Sequence, residues 1–149
     1  MNTNLNMMFM KAKRSDITIE HQLVVPPVLP FSDEDMCTLI SNLFDNAIDE
    51  CKHLKRHGAE DPKIYVEIKP QGSYLVITCI NPTDKTEIPR RAGFIITTKK
   101  DKKIHGYGTG IVSRTAEKYN GLAEFKIEEG KFIAKVMLDI TGTGEKGKK

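Results

Sequence analysis

The chain has 149 residues, 39% of them hydrophobic and 29% charged, with a formal net charge of +3. That is the size and composition of one soluble globular domain. There is no apolar run of 18 residues and no signal peptide, and the Lys-rich runs at 52–57, 99–103 and 146–149 read as solvated surface, so neither a membrane span nor a nucleic-acid partner is expected. Residues 1–15 are Met- and Asn-rich without clear periodicity and read as a leader. Ile17, Ile19, Leu23 and Val25 alternate as in a strand, and Pro26, Pro27 and Pro30 then force an extended link. Ser32 with Asp35 forms a weak capping box at the head of a long helix, and Gly58 suits its end.

That helix carries two stripes. Met36, Leu39, Ile40, Leu43, Phe44, Ala47, Ile48, Cys51 and Leu54 recur at three- and four-residue steps, as in a helix that buries one face. Asn42, Asn46, Asp49 and His53 recur on the far side. Asn is a poor helix former because its side chain competes for the backbone, so two Asn one turn apart point to a ligand site. Residues 63–70 and 73–80 then read as a hairpin turning at Gln71-Gly72. The irregular, Lys-rich stretch 82–105 has the length of a functional lid. Residues 106–110 are Gly-rich, 111–119 are helical up to a left-handed cap at Asn120-Gly121, and a final hairpin turns at Glu129-Gly130. The tail 141–149 is polar and expected to be disordered. This order predicts an α+β fold, a mixed sheet covered by helices on one face.

Cys37, Cys51 and Cys79 are odd in number and lack metal-ligand spacing, which favours small core residues in a reducing compartment. The four His make no zinc-type pair. Gly106-Tyr107-Gly108-Thr109-Gly110 opens directly into a helix, where backbone N–H groups and the helix dipole suit a phosphate.

Taken together, Asn46-Ala47-Ile48-Asp49-Glu50, the hairpin, the lid-length stretch and His105-Gly106-Tyr107-Gly108-Thr109-Gly110 resemble the GHKL ATP-binding superfamily, over roughly residues 17–140. Residues 39–51, Thr97-Thr98-Lys99-Lys100, the glycine box and Glu117-Lys118-Tyr119-Asn120-Gly121 look most like the quorum-sensing histidine kinases of Gram-positive bacteria.

The resemblance implies a Bergerat-type sandwich, its sheet mostly antiparallel, with Mg-ATP bound by Asn42, Asn46, Asp49, Asn81, Lys99, Lys100, His105, Gly106, Tyr107, Gly108, Thr109 and Gly110. Asn46 takes the place of the Asn whose amide oxygen ligates Mg²⁺, a hard cation suited to oxygen. Asn42 stands where water-activating relatives carry a glutamate base, and an amide cannot accept that proton. The family's adenine box, Asp-x-Gly-x-Gly, is replaced by Asn81-Pro82-Thr83-Asp84, with Asn81 at the Asp position.

The implied activity is transfer of the γ-phosphoryl group to a histidine on a separate dimerisation domain, so no catalytic residue is expected within the chain. The response regulator would be an indirect partner. The remaining expectations are a cytoplasmic location, a membrane tie only through absent N-terminal regions, a leader (1–15) left from the linker to the histidine domain, and a monomeric fragment. The alternatives are a nucleotide-binding module of the same fold with degenerate catalysis, and an anti-sigma-type serine kinase.

Overall fold

The computed structural model describes residues 2–86 and 107–141. Among these residues, three helices and five strands follow in the order α1 (Asn2–Arg14), β1 (Thr18–Leu23), α2 (Asp33–Arg56), β2 (Lys63–Gln71), β3 (Tyr74–Pro82), α3 (Tyr107–Lys118), β4 (Leu122–Glu128) and β5 (Lys131–Asp139). The strands make one sheet in the order β1-β2-β3-β5-β4. β1 runs parallel to β2, joined through α2, and the other three pairings are antiparallel. The expected α+β fold, a mostly antiparallel sheet carrying helices, is the one observed.

The sheet buries one face against all three helices. Ile64, Val66 and Ile68 of β2, Leu75, Ile77 and Cys79 of β3, Phe125 of β4, and Ala134, Val136 and Leu138 of β5 alternate into this core. From α2 come Met36, Leu39, Ile40, Leu43, Phe44, Ala47, Ile48 and Cys51, eight of the nine stripe residues. Leu54, the ninth, is half-buried. Ser32 caps α2 as expected, its hydroxyl accepting the Asp35 amide at 3.0 Å.

The N-terminal residues hold a helix that their sequence does not make plain. Residues 2–14 form α1, with Leu5, Met8 and Ala12 in the core. Leu5, Met8, Phe9 and Ala12 do follow helical spacing. The pattern is blurred because Met7 and Met10 are apolar as well, and these two are 55% and 58% exposed. A Lys11–Asp45 ion pair at 2.5 Å and the Phe9–Phe44 ring contact tie α1 to α2.

Each helix ends in a Schellman motif, in which the residue after the cap takes a left-handed conformation. At α1 this is Asp16, with Ile17 N–H donating to the Ala12 carbonyl; at α2 it is Gly58, with Ala59 N–H to Leu54; at α3 it is Asn120, with Gly121 N–H to Ala116. Gly121 itself serves a different need. A Cβ there would lie 1.7 Å from the Met137 carbonyl oxygen, so glycine is required for close approach of α3's end to β5. Glu129 and Gly130 both have positive φ, the signature of a type I′ hairpin, and the predicted turn forms there. The first hairpin turns one residue later than expected, with Gln71 still paired to Tyr74 and Gly72 carrying the positive φ.

The end of α3 is fastened to the head of α2. Tyr119 donates its hydroxyl proton to the Asp35 carboxylate and accepts the Ser32 amide at 3.1 Å. Its ring meets Phe31 edge-on at 4.8 Å. Lys118 adds an ion pair to Asp35 at 2.8 Å. Burial pushes the Asp35 carboxyl up, but hydrogen bonds from Lys118, Tyr119 and Ser32 outweigh it and hold the group below the usual carboxylate range.

Candidate nucleotide-binding cleft

The polar stripe of α2 faces the C-terminal end of β3, and a cleft of about 250 Å³ lies between them. Asn46, Asp49, Glu50 and His53 line it from the helix, Asn81, Thr83 and Lys85 from the end of β3 and beyond, and Ile127 and Phe132 from the second hairpin. Phe132 belongs here because β5 lies beside β3 and pairs it directly with Asn81. The wall is therefore one apolar patch and a ring of polar groups. Binding pockets for drug-sized ligands usually run from ~300 Å³ upward, so this one suits a base-sized group while the rest of a larger ligand extends beyond it.

Asn81 is 3% exposed. Its Nδ2 donates to the Pro82 carbonyl at 2.8 Å. A carbonyl can only accept, so this bond fixes which end of the amide is which. The Asn81 amide oxygen is left without a partner among the described residues, a cost unless a ligand donor meets it. Asn46 is half-buried and likewise has no hydrogen bond among the described residues. Its amide oxygen is a neutral hard donor of the kind Mg²⁺ accepts alongside phosphate oxygens and water.

The segment leaving β3 is pinned to α2. Thr83 N–H donates to the Gly130 carbonyl at 2.9 Å, and its hydroxyl donates to Glu50 Oε2 at 2.8 Å. Lys85 Nζ meets Glu50 Oε1 at 2.8 Å, and Lys85 N–H donates to Thr83 Oγ1 at 3.1 Å. Both oxygens of Glu50 are thus occupied by donors. His53 Nε2 lies 3.3 Å from Asp84 Oδ2.

The structure brings together only part of the expected site. Asn46, Asp49 and Asn81 line the cleft. Asn42 does not line it; its Nδ2 donates to the Thr38 carbonyl one turn back at 2.7 Å, the local bond that makes Asn a poor helix residue. Tyr107, Gly108, Thr109 and Gly110 form the first turn of α3, which begins four residues earlier than the expected helix at 111, and Gly110 is buried. Lys99, Lys100, His105 and Gly106 lie outside the described residues, as do most of the expected lid (82–105) and the tail beyond Thr141.

Glu50, His53, Thr83, Lys85, Ile127 and Phe132 were not anticipated as cleft residues. His53 was visible on the polar stripe, and Glu50 adjoins it. Thr83 is two residues beyond Asn81, just past the end of β3. Nothing local could place Ile127 and Phe132, because which strand lies beside β3 is a matter of sheet order.

A family model described as the GHKL domain matches residues 32–139. Among curated proteins nothing matches. Among solved structures, the chain is similar to the histidine kinase AdeS of Acinetobacter baumannii, with a TM-score of 0.67 at 12% identity, covering 94% of this chain and 64% of that one. It is also similar to the nucleotide-free catalytic domain of the histidine kinase ThkA, with a TM-score of 0.67 at 15% identity, covering 96% of this chain and 94% of that one. A second nucleotide-free form of ThkA gives a TM-score of 0.64 at 14% identity, covering 93% of this chain and 92% of that one. Likeness at this identity concerns the fold alone. The family match covers well over half of the chain, helix stripe, hairpins and glycine-rich turn together, and the chain belongs to the GHKL domain family.

Proposed function

We propose that this chain is the catalytic, ATP-binding domain of a two-component sensor histidine kinase of the Gram-positive quorum-sensing type. It binds Mg-ATP and donates the γ-phosphoryl group to a histidine on a separate dimerisation domain, from which a response regulator is phosphorylated in turn. It works on the cytoplasmic side of a membrane-bound parent protein. The observation that carries this reading is the pair of unsatisfied amide oxygens in one cleft, on Asn46 and Asn81. Asn81 accepts from the exocyclic amine of adenine, with Ile127 and Phe132 against the base. Asn46 holds Mg²⁺, which when bound neutralises charge on the triphosphate. The phosphates meet the glycine-rich first turn of α3, where free N–H groups and the helix dipole favour anions. Lys99, Lys100 and His105 join them on the family resemblance alone.

The test is titration with Mg-ATP, followed by mixing with a cognate histidine domain and labelled ATP. Binding that Asn46→Ala abolishes, with label moving to the histidine domain, is the expected result. A folded protein that fails to bind at millimolar nucleotide refutes the reading. Binding without phosphohistidine favours a nucleotide-binding module that has lost catalysis, a reading to which Pro82 and Thr83 in place of the adenine-box glycines lend weight.

A further inference from the structure

Glu50, His53 and Asp84 bring two carboxylates and an imidazole together at the outer end of the cleft. One ligand-capable atom from each lies within 4.8 Å of the others. Glu50 and His53 stand three residues apart on one face of α2, and Asp84 comes across from the segment after β3. Zinc bonds of ~2.0–2.1 Å at tetrahedral angles place two ligand atoms roughly 3.3 Å apart. His53 Nε2 and Asp84 Oδ2 are already 3.3 Å apart. Glu50 is the ligand that must move, because Thr83 and Lys85 each hold one of its oxygens at 2.8 Å.

We infer that Glu50, His53 and Asp84 form a binding site for a divalent transition ion of the zinc class, for which the Lys85 ammonium is the resident competitor. An imidazole with two carboxylates suits Zn²⁺ or Co²⁺ and does not suit Mg²⁺, which prefers oxygen throughout. His53 lies seven residues beyond Asn46, about 10 Å along the helix, so this is not the position proposed for nucleotide-bound Mg²⁺. On binding, His53 gives a ring lone pair to the metal and carries its proton on the other nitrogen. Glu50 exchanges Lys85 for the metal, and Lys85 turns to solvent. The metal thereby joins Asp84, at the root of the segment leaving β3, to α2. None of this depends on nucleotide binding.

The test is titration of the whole chain with Co²⁺ in the absence of nucleotide, read by visible absorption and reversed by Zn²⁺. His53→Ala and Asp84→Asn should each weaken binding by at least about tenfold, as expected for losing a ligand. His57→Ala should leave it unchanged, although the two imidazole rings are only 4.4 Å apart. Lys85→Met should tighten binding by about tenfold, since it removes a positive charge from the site. All four positions are at least partly exposed, and retention of the parent's circular dichroism shows that the variants fold. The inference is overturned if Co²⁺ gives no ligand-field spectrum at millimolar concentration, or if His53→Ala binds as tightly as the parent. Loss of binding in His57→Ala, or no tightening in Lys85→Met, overturns it equally.

Discussion

Gly121→Ala should be among the most damaging single-methyl additions in this chain. The added Cβ would meet Met137 O at 1.7 Å, Met137 C at 2.7 Å and Leu138 Cα at 3.1 Å. All three are backbone atoms, so no rotamer change relieves the clash. The junction between α3 and β4 must instead withdraw from β5 until the closest contact exceeds 3.0 Å. Asp139 N–H donates to the Tyr119 carbonyl across the same gap at 3.1 Å, and such a withdrawal takes that bond out of range. Overpacking costs ~1–3 kcal/mol and a lost hydrogen bond ~1 kcal/mol, so the total is about 3 kcal/mol. At this chain length that lowers Tm by roughly 6–12 °C. Urea unfolding followed by circular dichroism, with an unchanged m-value, measures it directly. Asn120→Gly is the control, because Asn120 has a φ of 55° that glycine adopts freely, and it should stay within about 0.5 kcal/mol of the parent. A loss below 1 kcal/mol for Gly121→Ala would refute the argument that close approach is what this position requires.

Three other outcomes follow from side chains. Asp35→Asn should cost about 1–2 kcal/mol at neutral pH by weakening its bonds to Tyr119 and Lys118. Because the folded-state pKa of Asp35 is lowered, its contribution is present above the unfolded value near ~3.9 and lost as pH falls through the folded value. The difference between parent and variant in urea midpoint should therefore narrow below about pH 4, and a constant difference down to acid unfolding would contradict the sign. Ellman's reagent at pH 8 should titrate Cys37 alone in the folded protein and all three thiols in denaturant. Cys37 is exposed, whereas burial pushes Cys51 up to about 11 and Cys79 up to about 12. Asn81→Asp, although it installs the residue usual in the family, should destabilise the fold by ~1–3 kcal/mol, because a carboxylate cannot donate to the Pro82 carbonyl and would face it at the present 2.8 Å. Equal or higher Tm for that variant would show that the amide bond has no structural weight.

What the sequence made legible depended on contrast between neighbours. The two faces of α2 could be read because large apolar residues alternate there with Asn, Asp and Lys, and the burial follows that division nearly residue by residue. The first helix has the same spacing of buried residues, but Met7 and Met10 supply apolar side chains on the solvent side and erase the contrast. In the cleft, Asn46 and Asn81 were legible because each is a residue type out of place for its element. Glu50, Thr83 and Lys85 are ordinary residues for a helix and a loop, and their roles arise only from meeting one another across a gap of more than thirty residues. Ile127 and Phe132 depend on β5 lying between β3 and β4, an order that local hairpin signals do not specify.

The proposal that the chain is a phosphoryl donor rests in part on Asn42, which stands where a water-activating glutamate would, and the other acidic groups of the cleft bear on it too. Activating water needs a carboxylate free to accept a proton beside the phosphate. The cleft contains two carboxylates among its described lining, Asp49 and Glu50. Glu50 is closed to that use, with one oxygen on Thr83 and the other on Lys85. Asp49 lines the cleft but is exposed, so its oxygens also face bulk solvent. Asn42 cannot replace them, since its amide has no proton-accepting capacity at neutral pH and its nitrogen is committed to Thr38. On the proposed reading, Glu50 and Asn42 are thus both closed to water activation, and a single change at residue 42 would address only one of them. A nucleophile brought in on another domain, already positioned and with its own basic nitrogen, needs none of these groups.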